Sequence, residues 1–185
     1  MRRLTTTVAA LVMLTGAGTA TAVAAPVPVP ASADCASGWG STDKSAEGAD
    51  CKPLKNIRTG AHECYDRVVF DLGGAPSRLG YHVGYVDKFH QDGSGDEIPV
   101  GGGAILQVYL SAPSYDPSTG RATYAGKAGK PLPGVDIGGY RTFKDTKFGA
   151  SFEGQTQVAV GVRAKLPFRV QHSGDKLIVD VAHTW

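Results

Sequence analysis

Apolar residues recur at every second position in six short runs of this chain, and turn-forming residues close each run. Val68, Phe70 and Leu72 fall on one side of the first run, with Tyr65, Arg67 and Asp71 on the other. Leu79, Tyr81, Val83 and Tyr85 alternate with Gly80, His82, Gly84 and Val86 in the second. The same period holds over 104–111, 157–162, 166–171 and 177–183. A period of two puts each apolar set on one face of an extended strand, which describes half-buried antiparallel strands. Apolar spacing at the helical period is missing, and 25 glycines with 11 prolines punctuate the chain too often for long helices. Ser173-Gly174-Asp175 reads as a tight turn joining the last two runs as a hairpin. The pattern predicts an all-β fold, an antiparallel sandwich or a closed barrel-like sandwich, in one domain.

The first 25 residues read differently. Arg2 and Arg3 precede the short apolar stretch Val8–Leu14, and Ala22-Val23-Ala24 resembles a signal peptidase site. The stretch is too short to span a bilayer, and no later segment approaches the roughly 20 apolar residues required. A secreted, extracellular protein without a transmembrane segment in its mature form is expected. The full chain carries 19 Lys and Arg against 17 Asp and Glu. Loss of the two leader arginines makes the balance neutral. A neutral chain without a Lys/Arg stripe lacks the electrostatic footprint that nucleic-acid binding needs.

Residues 26–53 form a Pro-, Gly- and Ser-rich stretch expected to be an irregular, flexible arm, and 54–185 carry the strand pattern. A domain of about 130 residues is large enough to bury a full core. In an oxidising exterior the three cysteines, Cys35, Cys51 and Cys64, point to a disulfide with one left over. Sequence allows three pairings. Cys35 with Cys64 is favoured, because it ties a loose Gly-rich arm to the start of a patterned strand. Asp34 before Cys35, and its distance from the apolar run, argue against a lipid-modified cysteine.

Two long connections interrupt the strands: Asp87–Gly103, and roughly Ala112–Gly149, the latter with room for one or two further strands around Val135–Phe143. Connections this long are uncommon and tend to be functional or disordered. The second holds Tyr115, Tyr140 and Arg141, aromatic and cationic groups suited to stacking on sugar rings and fixing polar substituents. In the first, His90 beside Asp92 is the one pair worth keeping for acid–base work, although no nucleophile stands near it. Asp92, Asp96 and Glu97 lack the spacing of a calcium loop, and the five histidines lack zinc spacing, so no metal and no cofactor are expected. Ser41-Thr42-Asp43-Lys44 matches the Ser-x-x-Lys string of penicillin-recognising enzymes without their companion elements. Gly101-Gly102-Gly103 precedes a strand and lacks the Lys of a phosphate loop. His82 and His183, on strands, are expected to be packed core-edge residues.

An ordered series of blocks resembles one known family. Cys64-Tyr65-Asp66-Arg67-Val68-Val69-Phe70-Asp71-Leu72 is followed by Gly80-Tyr81-His82-Val83-Gly84-Tyr85-Val86-Asp87. Gly103-Ala104-Ile105-Leu106, Pro113-Ser114-Tyr115-Asp116, Phe152-Glu153-Gly154-Gln155-Thr156-Gln157, Pro167-Phe168-Arg169-Val170 and Val179-Asp180-Val181-Ala182-His183 come after in order. From about Leu54 to the C-terminus the chain is similar to the secreted actinobacterial AMIN-like domain family. The resemblance implies a β-sandwich. Through looser similarity to AMIN domains, it implies a non-catalytic cell-envelope module that binds peptidoglycan or another wall glycan. Tyr115, Tyr140, Arg141 and His90 are the binding residues expected. The alternatives are an accessory domain that binds another envelope protein, and a small hydrolase built on His90 with Asp92 or another carboxylate.

Overall fold

The computed structural model describes residues 36–48 and 52–185. Contacts divide the chain into 1–31 and 32–185, and every described residue belongs to the second unit. The segment read as an export signal, and Cys35 and Cys51, lie outside the described residues. Nine strands and no helix are found there: β1 (Lys44–Ala46), β2 (Leu54–Ala61), β3 (Tyr65–Leu72), β4 (Tyr81–Val86), β5 (Ala104–Leu110), β6 (Phe143–Phe152), β7 (Gln155–Val162), β8 (Phe168–Ser173) and β9 (Lys176–Ala182). They form a five-stranded sheet in the order β1-β4-β5-β7-β6 and a four-stranded sheet in the order β2-β3-β9-β8, with every pair antiparallel. The two sheets keep separate edges, so the fold is a sandwich and the closed-barrel alternative is set aside.

The alternating residues build the core between the sheets. Val68, Phe70 and Leu72 of β3 and Leu177, Val179 and Val181 of β9 meet Val83 of β4, Leu106, Val108 and Leu110 of β5, and Val158, Val160 and Val162 of β7. Phe70, Phe143 and Phe168 are completely or almost completely buried, each worth about 1.5–3 kcal/mol of transfer free energy. Glu153 and Gly154 link β6 to β7 with φ of 48° and 81°, the paired positive angles of a two-residue hairpin turn. Gly174, at φ 59°, makes the expected turn between β8 and β9.

Three of the nine strands lie outside the six expected runs, with β6 at Phe143–Phe152 where further strands were expected around Val135–Phe143, and each hides its period for a physical reason. β2 carries a register shift between Leu54 and Asn56, so its buried residues Leu54 and Ile57 stand three apart. β6 has two shifts, at Phe143/Asp145 and Phe148/Ala150, which scatter its buried Phe143, Thr146 and Phe148. A bulge inserts one residue into the ladder and breaks the period of two locally. β1, within the stretch read as irregular, is three residues long and has no large apolar side chain to register.

Both long connections act structurally. The 87–103 segment packs over the outer face of the five-stranded sheet, where Phe89, Ile98 and Ala159 form a second small core. Gln157 pins it from below: its amide nitrogen donates to the His90 carbonyl (2.7 Å) and to the Tyr109 hydroxyl (2.9 Å), and its Oε1 accepts from Asp92 N–H (2.9 Å). The other connection, 111–142, inserts Tyr124 and Leu132 into the main core. Its backbone also covers the edge of β6, with Phe148 N–H donating to Lys130 O and Gly129 N–H to Phe148 O.

Candidate functional site

The outer face of the four-stranded sheet carries the most organised group of polar and aromatic side chains. Register places Arg67 of β3 opposite Asp180 of β9, and Asp180 opposite Arg169 of β8. Three alternating positions therefore line up across three strands. Asp180 is fully buried beneath its neighbours, whereas the two arginine side chains are 25% and 35% exposed. Arg67 Nε and Nη2 donate to the two Asp180 oxygens at 2.6 and 2.9 Å, and Arg169 Nε donates to Asp180 Oδ2 at 2.8 Å. The hydrogen bond to Asp180 raises the Arg67 pKa, so that guanidinium stays charged. A buried carboxylate held by two guanidiniums satisfies its own desolvation and fixes both arginines in place.

Aromatic groups surround the pair. Tyr65, two positions before Arg67 on the same strand face, accepts from Arg67 Nη2 at 3.3 Å and lies 5.2 Å below its guanidinium. Trp39 arrives from the preceding segment, which is docked by Phe168 N–H donating to Gly40 O (3.0 Å). Lys44 Nζ caps the Phe168 ring at 3.9 Å and donates to Gly40 O; burial lowers its pKa. The Arg169 guanidinium stands 4.4 Å over the Trp39 ring, the range of cation–π attraction. Trp39 and Tyr65 rings are 5.6 Å apart, and His62 stacks on Tyr65 at 4.5 Å. Trp39 and Tyr65 are half-buried and His62 is exposed, which leaves an amphipathic aromatic surface beside two fixed cations.

The four residues expected from the sequence are placed apart. Arg141 is exposed and donates to Glu63 O at 3.3 Å, at the end of β2 where the Trp39–Tyr65 group lies. Tyr140 is half-buried and stacks on Phe143 with rings 5.8 Å apart, serving the core. Tyr115 bridges to Ala122, close to Pro113 O, which accepts from Leu54 N–H at the opposite end of β2. The eight residues of β2 separate those ends by about 23 Å. His90 is exposed over the other sheet, its Nδ1 3.0 Å from Gly95 O. Its neighbour Asp92 is tied through its backbone to Gln157, and Glu97 pairs with Lys88 at 2.7 Å. Among the described residues no three His, Cys, Asp or Glu side chains are grouped to hold a metal ion. Cys64 stands just before β3. With Cys35 and Cys51 outside the described residues, the Cys35–Cys64 pairing carries forward as a proposal.

His82 corrects an expectation: it is exposed on β4 and lies 3.3 Å from Asp43, not packed at a core edge. His183 is buried, in a network that superficially resembles catalytic machinery. Its Nδ1 is 3.0 Å from Thr142 Oγ1, its Nε2 donates to His62 O (3.0 Å), and Asp66 Oδ1 lies 3.9 Å away. Thr142 and Asp66 are fully buried and His183 is 7% exposed, so no substrate reaches the hydroxyl. Asp66 Oδ2 instead accepts Thr142 N–H (2.6 Å) and Phe143 N–H (3.1 Å), fastening the start of β6 to β3. Arg163 donates to the His183 carbonyl and closes the same end of the sandwich.

Trp39, Arg67, Arg169 and Asp180 were not singled out as site residues from the sequence. Their polar alternation was legible in the strand pattern, but nothing local says that three separate strands align them. The AMIN-like domain family model matches residues 52–183. No curated protein and no solved structure matches the chain. With the match running from just before β2 to just past β9, the chain belongs to the AMIN-like domain family.

Proposed function

We propose that this cell-envelope related protein is a secreted, non-catalytic module that binds peptidoglycan or another wall glycan through the Trp39–Tyr65–Arg67–Arg169 face. Family membership supports the envelope assignment. The observation that carries the surface is the buried Asp180, which holds two arginines rigid beside half-buried aromatic rings. Aromatic faces stack on the apolar faces of sugar rings, and fixed donors orient polar substituents at little entropic cost. Arg141 and His62 extend the same end of the sandwich. Tyr115, Tyr140 and His90 are not gathered with this face, which lowers their claim on the ligand. Export by residues 1–25 and a Cys35–Cys64 bridge anchoring the Trp39 segment complete the reading.

Co-sedimentation of the purified chain with insoluble peptidoglycan, with soluble fragments assayed in the supernatant, tests it. Salt-resistant pelleting without fragment release, weakened at least tenfold by Trp39→Ala, is the expected result. Failure to pellet sinks the glycan reading and directs the search to an envelope protein partner. Fragment release would replace a binding role with a hydrolytic one.

A further inference from the structure

We infer that the Asp180 face selects ligands bearing a carboxylate, on a sugar acid or a peptide, over neutral glycans; this rests on reading that face as the wall-binding surface. The argument is one of charge and spent donors. Two guanidiniums meet one carboxylate, leaving a net positive charge at the cluster. Asp180 is fully buried and both its oxygens are engaged, so it is closed to further donors. Its bonds use Nε and Nη2 of Arg67 and Nε of Arg169, and among the described residues no group accepts from the Arg169 Nη atoms. Those atoms belong to side chains that reach solvent.

The wider face has the same sign. Arg58, Arg67, Arg169 and Lys176 share it with Asp71 and Asp180; Asp71 is already engaged by Arg58 at 2.9 Å and Lys176 by Asp175 of the β8–β9 turn, so the excess rests on Arg67 and Arg169. This cationic excess is local, because the chain without its first 25 residues is neutral. A planar guanidinium held between Trp39 and Asp180 offers a fixed pair of N–H groups, the geometry that a carboxylate accepts in two parallel bonds. A sugar hydroxyl takes one such bond and leaves the charge unneutralised. The rings of Trp39 and Tyr65 then supply stacking for the part of the ligand next to the acid.

The test is co-sedimentation of the full purified chain with three solids: intact peptidoglycan, the same peptidoglycan after its carboxylates are converted to amides, and chitin as a neutral amino-sugar polymer. Binding at least tenfold weaker to the amidated material and to chitin is expected. Arg169→Lys, which keeps the charge toward Asp180 but removes the fork, should reduce the preference, with circular dichroism confirming the fold. Should Arg169→Lys fail to fold, the amidation comparison on the unmodified chain decides alone. Soluble stem peptides and peptide-free glycan strands used as competitors separate the two sources of the acid; inhibition by either supports the inference. Equal binding to all three solids overturns carboxylate selection while leaving a glycan-binding face in place. Binding to none of them overturns both.

Discussion

Replacing Asp66 with alanine should be among the most damaging single changes in this protein, although Asp66 touches no proposed ligand surface. Its Oδ2 is the acceptor for two buried backbone N–H groups, those of Thr142 and Phe143, at 2.6 and 3.1 Å. Each buried donor left without a partner costs about 1–3 kcal/mol. Alanine therefore costs about 3–5 kcal/mol, a large share of the stability of an ordinary domain. Asp66→Asn keeps one oxygen for the two donors and changes the atom at Oδ1, which has no hydrogen-bond partner. It should lose about 1–2 kcal/mol. Urea unfolding followed by tryptophan fluorescence measures both, and an unchanged m-value shows that the loss lies in the folded state. A loss below about 1 kcal/mol for Asp66→Ala would refute the claim that this carboxylate fastens β6 to β3.

Gly161 faces the 87–103 segment so closely that a Cβ there would collide with the Gly101 carbonyl, so Gly161→Ala should cost about 1–3 kcal/mol by thermal denaturation. Gln157→Ala should release the same segment, seen as faster amide exchange at Asp92 with β3 and β9 protection unchanged, because its amide makes the bonds that hold the segment down. Burial pushes the Tyr85 phenol up to about 12, against about 10 in the unfolded chain. The unfolded phenol ionises first, so this group's contribution is intact below pH 10 and is lost as pH rises toward 12. Alkaline titration of unfolding should show that decline, and Tyr85→Phe should flatten it while lowering stability near neutrality through loss of the bonds to Leu166.

The strands that could be read from sequence are those whose ladders run without interruption. β3, β4, β5, β7, β8 and β9 carry no bulge of their own, so the side chains that each sends into the main core stay two residues apart. β2 and β6 escaped for the opposite reason: bulges shift their buried side chains off the period. Aromatic content in the long connections was visible, but its use was not. Tyr124 fills core and Tyr140 lies on Phe143, and the same residue types would have suited a ligand equally well.

Composition, alternation and turn residues were by themselves enough to determine an all-β antiparallel fold with a β8–β9 hairpin, because period and turn chemistry act within a few residues; that the strands divide into two open sheets and do not close into a barrel was decided by the tertiary structure. The site needed more. Asp180, Arg67 and Arg169 are ordinary polar positions on their own strands, and Trp39 sits in a glycine-rich segment without any pattern. Only the pairing of β3, β9 and β8 brings the two arginines onto one carboxylate and buries it, and the Gly40 contact with β8, beside the β1–β4 pairing, lays Trp39 against them. Register between distant strands is set by how whole faces pack, and that information is spread over the entire core.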